Sequence, residues 1–234
     1  MSDHVPARSR TGDVAAFVAQ ARAVAEKAAS APQRARLMFA IDATRSREPT
    51  WDLASGLQMQ MFQAAEAHGG LRVQLVYFRG TDECRASRWH DQARPLTDAM
   101  ERVTCRAGHT QIARVFRHAL REQAAGRISA LVLVGDACEE AADEVMGLAG
   151  QLAMVSLPVF AFHEGGDRLA EDLFREIARV TRGAFHRFDH HAPRLLADAL
   201  RAVAVYASGG REALLRLAER EGGTTRLIAN QVGR

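Results

Sequence analysis

Two spacings of apolar residues alternate along the chain, one typical of buried strands and the other of amphipathic helices. Short apolar runs predict strands at residues 36–42, 71–77, 128–134, 159–162 and 185–188. A further short strand at 84–89 is expected to pair with 71–77 as an antiparallel hairpin at the sheet edge. Apolar residues at three- and four-residue spacing predict helices at about 14–25, 49–68, 96–103, 110–120, 139–155, 169–180, 195–206 and 212–220.

Strands that alternate with helices predict an α/β fold. We expect a doubly wound, mostly parallel, Rossmann-like sheet of about six strands, with one antiparallel edge strand and helices on both faces. Three regions are expected: an N-terminal helical extension (1–35), the α/β domain (36–207) and a short helical C-terminal tail (208–234) that ends loosely.

Composition limits the class of protein. The chain has 234 residues, of which 47% are hydrophobic, and no apolar run approaches the roughly 18 residues of a membrane span. The first eleven residues are polar and lack the apolar core of a secretion signal, so we expect a cytoplasmic protein without a membrane segment. Cys84, Cys105 and Cys138 show no paired spacing and are expected to be free thiols.

The positive charge comes almost wholly from arginine, because Lys27 is the only lysine. Abundant arginine and alanine are typical of a GC-rich bacterial genome. The net charge is +3, but the arginines are scattered among glutamates, without a dense basic block or interleaved aromatic residues. We therefore do not expect a nucleic-acid partner.

Oxygen-bearing side chains stand in three distant segments, each where a predicted strand or its loop ends. The first segment is Asp42-Ala43-Thr44-Arg45-Ser46, the second Gly108-His109-Thr110 and the third Gly135-Asp136. Ligands of open parallel sheets bind at the carboxyl ends of the strands. Asp, Ser and Thr also cap helices and turns. Capping alone would explain why these residue types occur, but not why all three segments lie at strand ends or the loops after them. Carboxylates and hydroxyls together favour a hard cation, Mg²⁺ or Mn²⁺.

The order of these three segments resembles the metal-ion-dependent adhesion site (MIDAS) of von Willebrand factor type A (VWA) domains. The resemblance covers roughly residues 37–206. The family's first motif is DxSxS, and Thr44 replaces its middle serine while keeping the hydroxyl. The resemblance implies a VWA domain and five metal-site residues: Asp42, Thr44, Ser46, Thr110 and Asp136.

The resemblance also implies a function without catalysis. The hydroxyl ligands are neutral and the two aspartates supply only two negative charges, so the cation stays electrophilic. A carboxylate of a partner protein would then complete its coordination. We therefore expect no enzyme, but a metal-dependent protein-interaction module, acting as an adaptor or assembly subunit. The partner would carry an exposed acidic residue, and several relatives inside cells act with AAA+ ATPases or other multiprotein assemblies.

Four further residues are candidates for contact with the partner, because three lie within or next to the first two segments and the fourth follows the strand at 159–162, which ends at the same edge. They are Arg45, Arg47, His109 and His163. The arginines would steer an acidic partner toward the metal. The His190-His191 pair is expected to lie in a solvated turn.

Two enzymes remain as alternatives. A phosphatase resembling the haloacid dehalogenases needs a second aspartate where Thr44 stands, and a downstream lysine or arginine, whereas Lys27 lies upstream. A nucleotide-binding α/β enzyme needs a glycine-rich phosphate loop after a strand, and no GxGxxG or GxxxxGK[ST] motif is present.

Overall fold

The fold is built on one six-stranded sheet. The computed structural model describes residues 34–45, 48–188 and 193–233. The strands are β1 (Ala35–Asp42), β2 (Leu71–Arg79), β3 (Glu83–His90), β4 (Ala130–Gly135), β5 (Val159–Glu164) and β6 (Ala184–Phe188). The predicted helix at 14–25, the N-terminal extension as far as residue 33 and the His190-His191 turn lie outside the described residues.

Helices connect the strands. They are α1 (Glu48–Gly56), α2 (Gln58–Glu66), α3 (Ala93–Glu101), α4 (Ile112–Ala125), α5 (Ala142–Met154), α6 (Arg168–Val180), α7 (Pro193–Glu221) and α8 (Gly223–Ala229). Within the described ranges, none of these helices is both long and apolar enough to cross a bilayer.

The strand order is β3-β2-β1-β4-β5-β6, and every neighbouring pair is parallel except β2 and β3. This confirms the predicted mostly parallel sheet with one antiparallel strand at its edge. β1 and β4 are neighbours at the centre, and Ile41 pairs with Val134. The residues that follow these two strands therefore emerge side by side at the same edge of the sheet.

Helices cover both faces of the sheet, as predicted. Alternate residues of β1 belong to different apolar clusters: Leu37 and Phe39 pack with α1, α2, α3, α7 and α8, whereas Met38 and Ala40 pack with α4, α5 and α6. All four side chains are fully buried. Burial on both faces explains why the central strands are continuous apolar runs in the sequence.

The predicted helix at 49–68 is divided into α1 and α2 at Leu57, whose backbone N–H donates to the Ala54 carbonyl at 3.1 Å. Leu57 and Met61 are both buried. The helical spacing of apolar residues continues across the division, because both helices pack on the same cluster. Spacing alone therefore gave no signal of the break.

The C-terminal residues are not loose, which corrects the expectation from sequence. Helix α7 bends at Gly210, with φ 72° and ψ −172°, and leads into α8. Ile228 is fully buried and Val232 is 1% exposed, and both belong to the same cluster as Leu37 and Phe39. The Gly233 N–H donates to the Arg182 carbonyl at 3.1 Å, so the tail is held beside β6.

The three cysteines are free thiols, as predicted. Burial raises the pKa of both Cys84 and Cys105 to about 11. They are therefore thiols rather than thiolates near neutral pH, and poor ligands for a metal.

Candidate functional site

The first predicted segment begins at the end of β1, where Asp42 is 1% exposed. The Thr44 N–H donates to Asp42 Oδ1 at 2.6 Å, a turn in which the carboxylate holds the backbone that follows it. Thr44 is buried and Arg45 is exposed. Ser46 and Arg47 lie outside the described residues, so their predicted roles stay predictions.

The third segment lies beside the first. A methyl group added at Gly135 would lie 4.0 Å from Asp42 Cβ, which shows how closely the two strand ends approach. Asp136 follows Gly135 directly and is partly buried. The two aspartates that the sequence assigned to a metal therefore leave neighbouring strands at the same edge of the sheet.

The second segment is hydrogen-bonded to Glu139, in the loop that follows the third segment. The Thr110 hydroxyl donates to Glu139 Oε2 at 2.7 Å, and the Thr110 N–H donates to the same oxygen at 3.0 Å. The Glu139 N–H donates back to the Thr110 hydroxyl at 3.2 Å. Burial raises the pKa of Glu139, but these hydrogen bonds outweigh it, so the pKa lies below its usual value. Glu139 is therefore a carboxylate at neutral pH.

Glycines set the path of the second segment. A methyl group at Gly108 would lie 2.2 Å from the Gly80 carbonyl oxygen and 2.3 Å from its nitrogen. The His109 N–H donates to the Gly80 carbonyl at 3.1 Å, and the His109 side chain is exposed. Close packing of two backbones therefore brings Thr110 toward the sheet, which explains why glycine stands at 108.

Thr110 does not itself open the next helix, which begins at Ile112. The Glu140 carboxylate accepts the backbone N–H groups of Ile112 and Ala113, the latter at 3.0 Å. A side chain from the loop that follows the third segment thus caps α4. Burial raises the pKa of Glu140.

His163 was expected to contact a partner, and the structure contradicts this. Its side chain has no exposed surface, and its ring lies edge-on to Phe174 with centroids 5.5 Å apart. Nε2 lies 3.1 Å from the Asp136 carbonyl oxygen, to which it donates. Burial lowers the pKa of His163, which favours the neutral ring. The predicted strand ended at Phe162, whereas β5 continues to Glu164, so His163 lies within the sheet and its side chain is buried in the core.

Two carboxylates at this edge, those of Glu139 and Glu140, were missed from the sequence, and a third, that of Glu164, was expected there. Glu139 and Glu140 were assigned to the start of a helix, but α5 begins at Ala142, which leaves both in the loop. Glu164 ends β5, is 3% exposed and accepts a hydrogen bond from the Thr50 hydroxyl of α1. Two consecutive glutamates soon after a strand-end aspartate were a signal for the first two.

The chemistry of the donor set fits a hard cation. Asp42, Thr44, Thr110 and Asp136 offer oxygen atoms alone, and Asp42, Thr44 and Thr110 are each less than one-tenth exposed. Among the described residues, no three or more His, Cys, Asp or Glu side chains are grouped to hold a metal. A site of two carboxylates and several hydroxyls does not need such a group.

Solved structures of low sequence identity have the same fold. A von Willebrand factor type A protein from Catenulispora acidiphila matches with a TM-score of 0.56 and 17% identity over 75% of this chain and 43% of that one. The vWF domain of the type V pili tip protein Mfa5 from Porphyromonas gingivalis matches with a TM-score of 0.59 and 12% identity, over 73% of this chain and 94% of that domain. No family model and no curated protein matches the sequence.

A third similar structure is that of proximal thread matrix protein 1 from mussel byssus, with a zinc-occupied MIDAS motif. Its TM-score is 0.53 and its identity 15%, over 73% of this chain and 46% of that one. This chain thus spans less than half of the Catenulispora and mussel proteins. Together the matches show that the protein has the von Willebrand factor type A fold, as the sequence resemblance implied.

Proposed function

We propose that this chain, with its von Willebrand factor type A fold, is a metal-dependent protein-interaction module. The observation that supports this role is that Asp42 and Gly135, the residue before Asp136, end neighbouring strands at one edge of the sheet, while Thr110 is hydrogen-bonded to Glu139, three residues after Asp136. The residues that would hold the cation are Asp42, Thr44, Ser46, Thr110 and Asp136. The bound cation would supply an electrophilic centre for a carboxylate of the partner.

The protein residues contribute orientation and charge. Asp42 is fixed by the Thr44 N–H, and Thr110 is fixed by Glu139, so two donors are held before a cation arrives. Such preorganisation lowers the entropy that binding must overcome. Arg45 is exposed beside the site, where it would attract an acidic partner. His109 is exposed as well and remains a candidate contact.

Mg²⁺ and Mn²⁺ are the cations that we expect, because all the proposed donors are oxygen atoms. Zinc prefers nitrogen and sulfur ligands, although the mussel protein has a zinc-occupied MIDAS motif. The role needs no nucleophile or general base, and we propose no reaction. The partner, which could be an AAA+ ATPase or another assembly, and the cytoplasmic location stay predictions.

A two-part experiment tests this role. Calorimetric titration with Mn²⁺ would compare the wild type with Asp42→Asn, which keeps an acceptor for the Thr44 N–H but loses the charge. Affinity capture from a bacterial lysate, in Mg²⁺ or in EDTA, would then ask whether a partner is retained only with the metal. Asp172→Asn is the matched control, since Asp172 is an exposed aspartate on α6.

If the proposed function is correct, the wild type and the control bind Mn²⁺ and retain a partner only in the presence of metal. The Asp42→Asn variant neither binds Mn²⁺ nor retains the partner. Metal binding that is unchanged in Asp42→Asn would overturn the site. Capture that is equal in Mg²⁺ and EDTA would overturn the metal-dependent role even if the site binds Mn²⁺.

A further inference from the structure

A pocket of about 190 Å³ lies between the edge strand β3 and helix α4, and it shares no residue with the proposed metal site. Four arginines line it: Arg85 from β3, and Arg114, Arg117 and Arg121 from α4. The three on α4 are spaced i, i+3, i+7 and therefore lie on one face of the helix. Their meeting with Arg85 is a feature of the fold, since the sequence separates them by about thirty residues.

Two of the four charges have carboxylate partners. Arg85 Nε lies 3.0 Å from Glu83 Oε1, and Arg117 forms an ion pair with Glu144. Both arginines are well exposed, so these pairs are weak and open to exchange.

The other two arginines have no carboxylate partner among the described residues. Arg114 donates through Nη1 to the Asp82 carbonyl and to Gln111 Oε1 at 3.2 Å, and both acceptors are neutral. These bonds fix the guanidinium without compensating its charge. Arg121 also lines the pocket, with its side chain exposed. Arg114 and Arg121 are therefore the two guanidinium groups of the pocket that no ion pair compensates among the described residues, and Glu140, whose charge acts on the pocket residue Cys84, is a nearby carboxylate.

The remaining wall is neutral and fixed. His118 Nε2 donates to Gln74 Oε1 at 3.0 Å, and the Gln74 amide nitrogen donates to the Ser87 carbonyl at 3.0 Å. Burial lowers the pKa of His118, so the ring adds no charge at neutral pH. The ring therefore shapes the pocket, and the arginines supply its charge.

The pocket is lined in part by β3, which pairs with β2 along one edge. In the described part of the chain β3 ends the sheet, whereas the opposite edge strand, β6, is bonded by the Gln231 side chain. Cys84, Arg85 and Ala86 of β3 form one wall of the pocket. A peptide added to an open strand edge would therefore bring one of its side chains close to the arginines.

We propose that this pocket binds the phosphate monoester group of a phosphorylated peptide that lies along β3. A phosphate monoester carries about −1.5 to −2 charges at pH 7, which matches the two uncompensated guanidinium groups, whereas a carboxylate brings one charge. Guanidinium forks bind phosphate oxygens in pairs. Single-stranded nucleic acid is less suited, because its bases stack best on large aromatic side chains and the pocket lining contains no Phe, Tyr or Trp.

Calorimetric titration would test this site with a short Val/Thr-rich peptide carrying one central phosphoserine. The same peptide with unmodified serine, inorganic phosphate and a single-stranded oligonucleotide are the comparison ligands. The phosphopeptide should bind at least about tenfold more tightly than each of them, since the site reads both the phosphate and the strand. Equal binding of the two peptides would overturn the phosphate site.

If inorganic phosphate binds as tightly as the phosphopeptide, the site does not recognise a peptide and the proposal is wrong. If the oligonucleotide binds more tightly than the phosphopeptide, the ligand is a nucleic acid and the proposal is also wrong. The variants Arg114→Gln and Arg121→Gln should each weaken phosphopeptide binding about tenfold, while both proteins keep a cooperative thermal transition. Arg216→Gln is the matched control, because Arg216 is an exposed arginine of α7 whose pair with Glu212 is long at 3.7 Å. If Arg216→Gln weakens phosphopeptide binding as much as the pocket variants do, the loss reflects only the change in net charge, and the site is wrong.

Discussion

The Thr110 hydroxyl donates a 2.7 Å hydrogen bond to Glu139 Oε2 and accepts one of 3.2 Å from the Glu139 N–H. A hydroxyl has one proton and two lone pairs, so one lone pair of Thr110 remains for a cation. The negative carboxylate also increases the electron density on the hydroxyl oxygen. Glu139 thus acts as a positioning residue for the proposed ligand Thr110.

Replacing Glu139 tests this relationship. Glu139→Ala should weaken Mn²⁺ binding roughly 10- to 100-fold, the usual effect of losing a partner behind a metal ligand. Calorimetric titration measures it. Glu101→Ala, at the exposed end of α3, removes the same charge elsewhere and should bind as the wild type does. Wild-type affinity in Glu139→Ala would show that the Thr110 contact is purely structural.

Asp42→Asn should separate metal binding from folding. With free metal at about 100 times Kd, the wild type should gain about 2.7 kcal/mol of unfolding free energy, and the variant none. Without metal, the variant should still unfold in one cooperative transition, because asparagine keeps the acceptor for the Thr44 N–H. Thermal melts with Mn²⁺ and with EDTA measure both effects. A Mn²⁺-induced shift in the variant as large as that of the wild type would contradict the assignment of Asp42.

Much of the fold was predictable because its core strands are buried on both faces. The apolar run ending at Ile41 and that ending at Val134 each predicted a buried strand, and these two are neighbours in the sheet. The site was less predictable. Glu139 and Glu140 act on Thr110 and Ile112 across almost thirty residues, a contact that no local pattern encodes.

The tail shows the same limit. Helix α8 has only seven residues, too few for a periodic pattern, and the burial of Ile228 depends on elements far away in the chain. His163 illustrates the opposite error. A strand was predicted just before it, at 159–162, but β5 continues through His163, whose side chain packs against Phe174 of helix α6.

Gly108 should tolerate no side chain. Gly108→Ala places a methyl group against the Gly80 backbone, which cannot move aside as a flexible side chain would, so we expect a loss of about 1–3 kcal/mol of unfolding free energy. Urea unfolding measures it. Gly147→Ala is the control: Gly147 lies within α5 with open space around it, so alanine should stabilise by about 0.5–1 kcal/mol. Wild-type stability in Gly108→Ala would contradict the close packing of the second segment.

Buried histidines should make stability depend on pH. Burial lowers the pKa of His90, His118 and His186 below 6.5, so the unfolded chain takes up protons that the folded chain does not as pH falls through about 6.5. The free energy of unfolding should therefore fall from pH 7.5 toward about pH 5.5. Below the pKa values of these histidines in the folded protein, they should cause no further loss of stability. Urea midpoints at constant salt measure the slope.

His186→Leu isolates one of these groups. Its Nε2 is buried and has no hydrogen-bond partner in the part of the chain that the structure describes. Leucine should raise the free energy of unfolding by roughly 1 kcal/mol at neutral pH, because it removes an unsatisfied polar atom. It should also reduce the dependence of that free energy on pH. An unchanged slope would mean that His186 does not contribute to the pH dependence.

Gln231 should protect the outer edge of β6. Its Oε1 accepts the Phe185 N–H at 2.9 Å and its Nε2 donates to the Phe185 carbonyl at 3.0 Å, as the backbone of a neighbouring strand would. Gln231→Ala should cost about 1–3 kcal/mol, because it leaves both backbone groups without that partner. Urea unfolding measures the loss, and Gln60→Ala, on the exposed side of α2, should have no comparable effect.

Hydrogen exchange at the Phe185 amide gives a local measure of the same contact. In the wild type this amide should exchange slowly while the tail stays docked, and Gln231→Ala should speed its exchange without changing the exchange of amides in the centre of the sheet, such as that of Val132.

Hydrogen exchange over residues 195–233, measured with and without Mn²⁺, tests whether the metal site moves the tail. Burial of Ile228 and Val232 leads us to expect unchanged exchange there, since release would expose apolar surface to water. Faster exchange of the tail on metal binding would instead show that the site and the β6 edge are coupled.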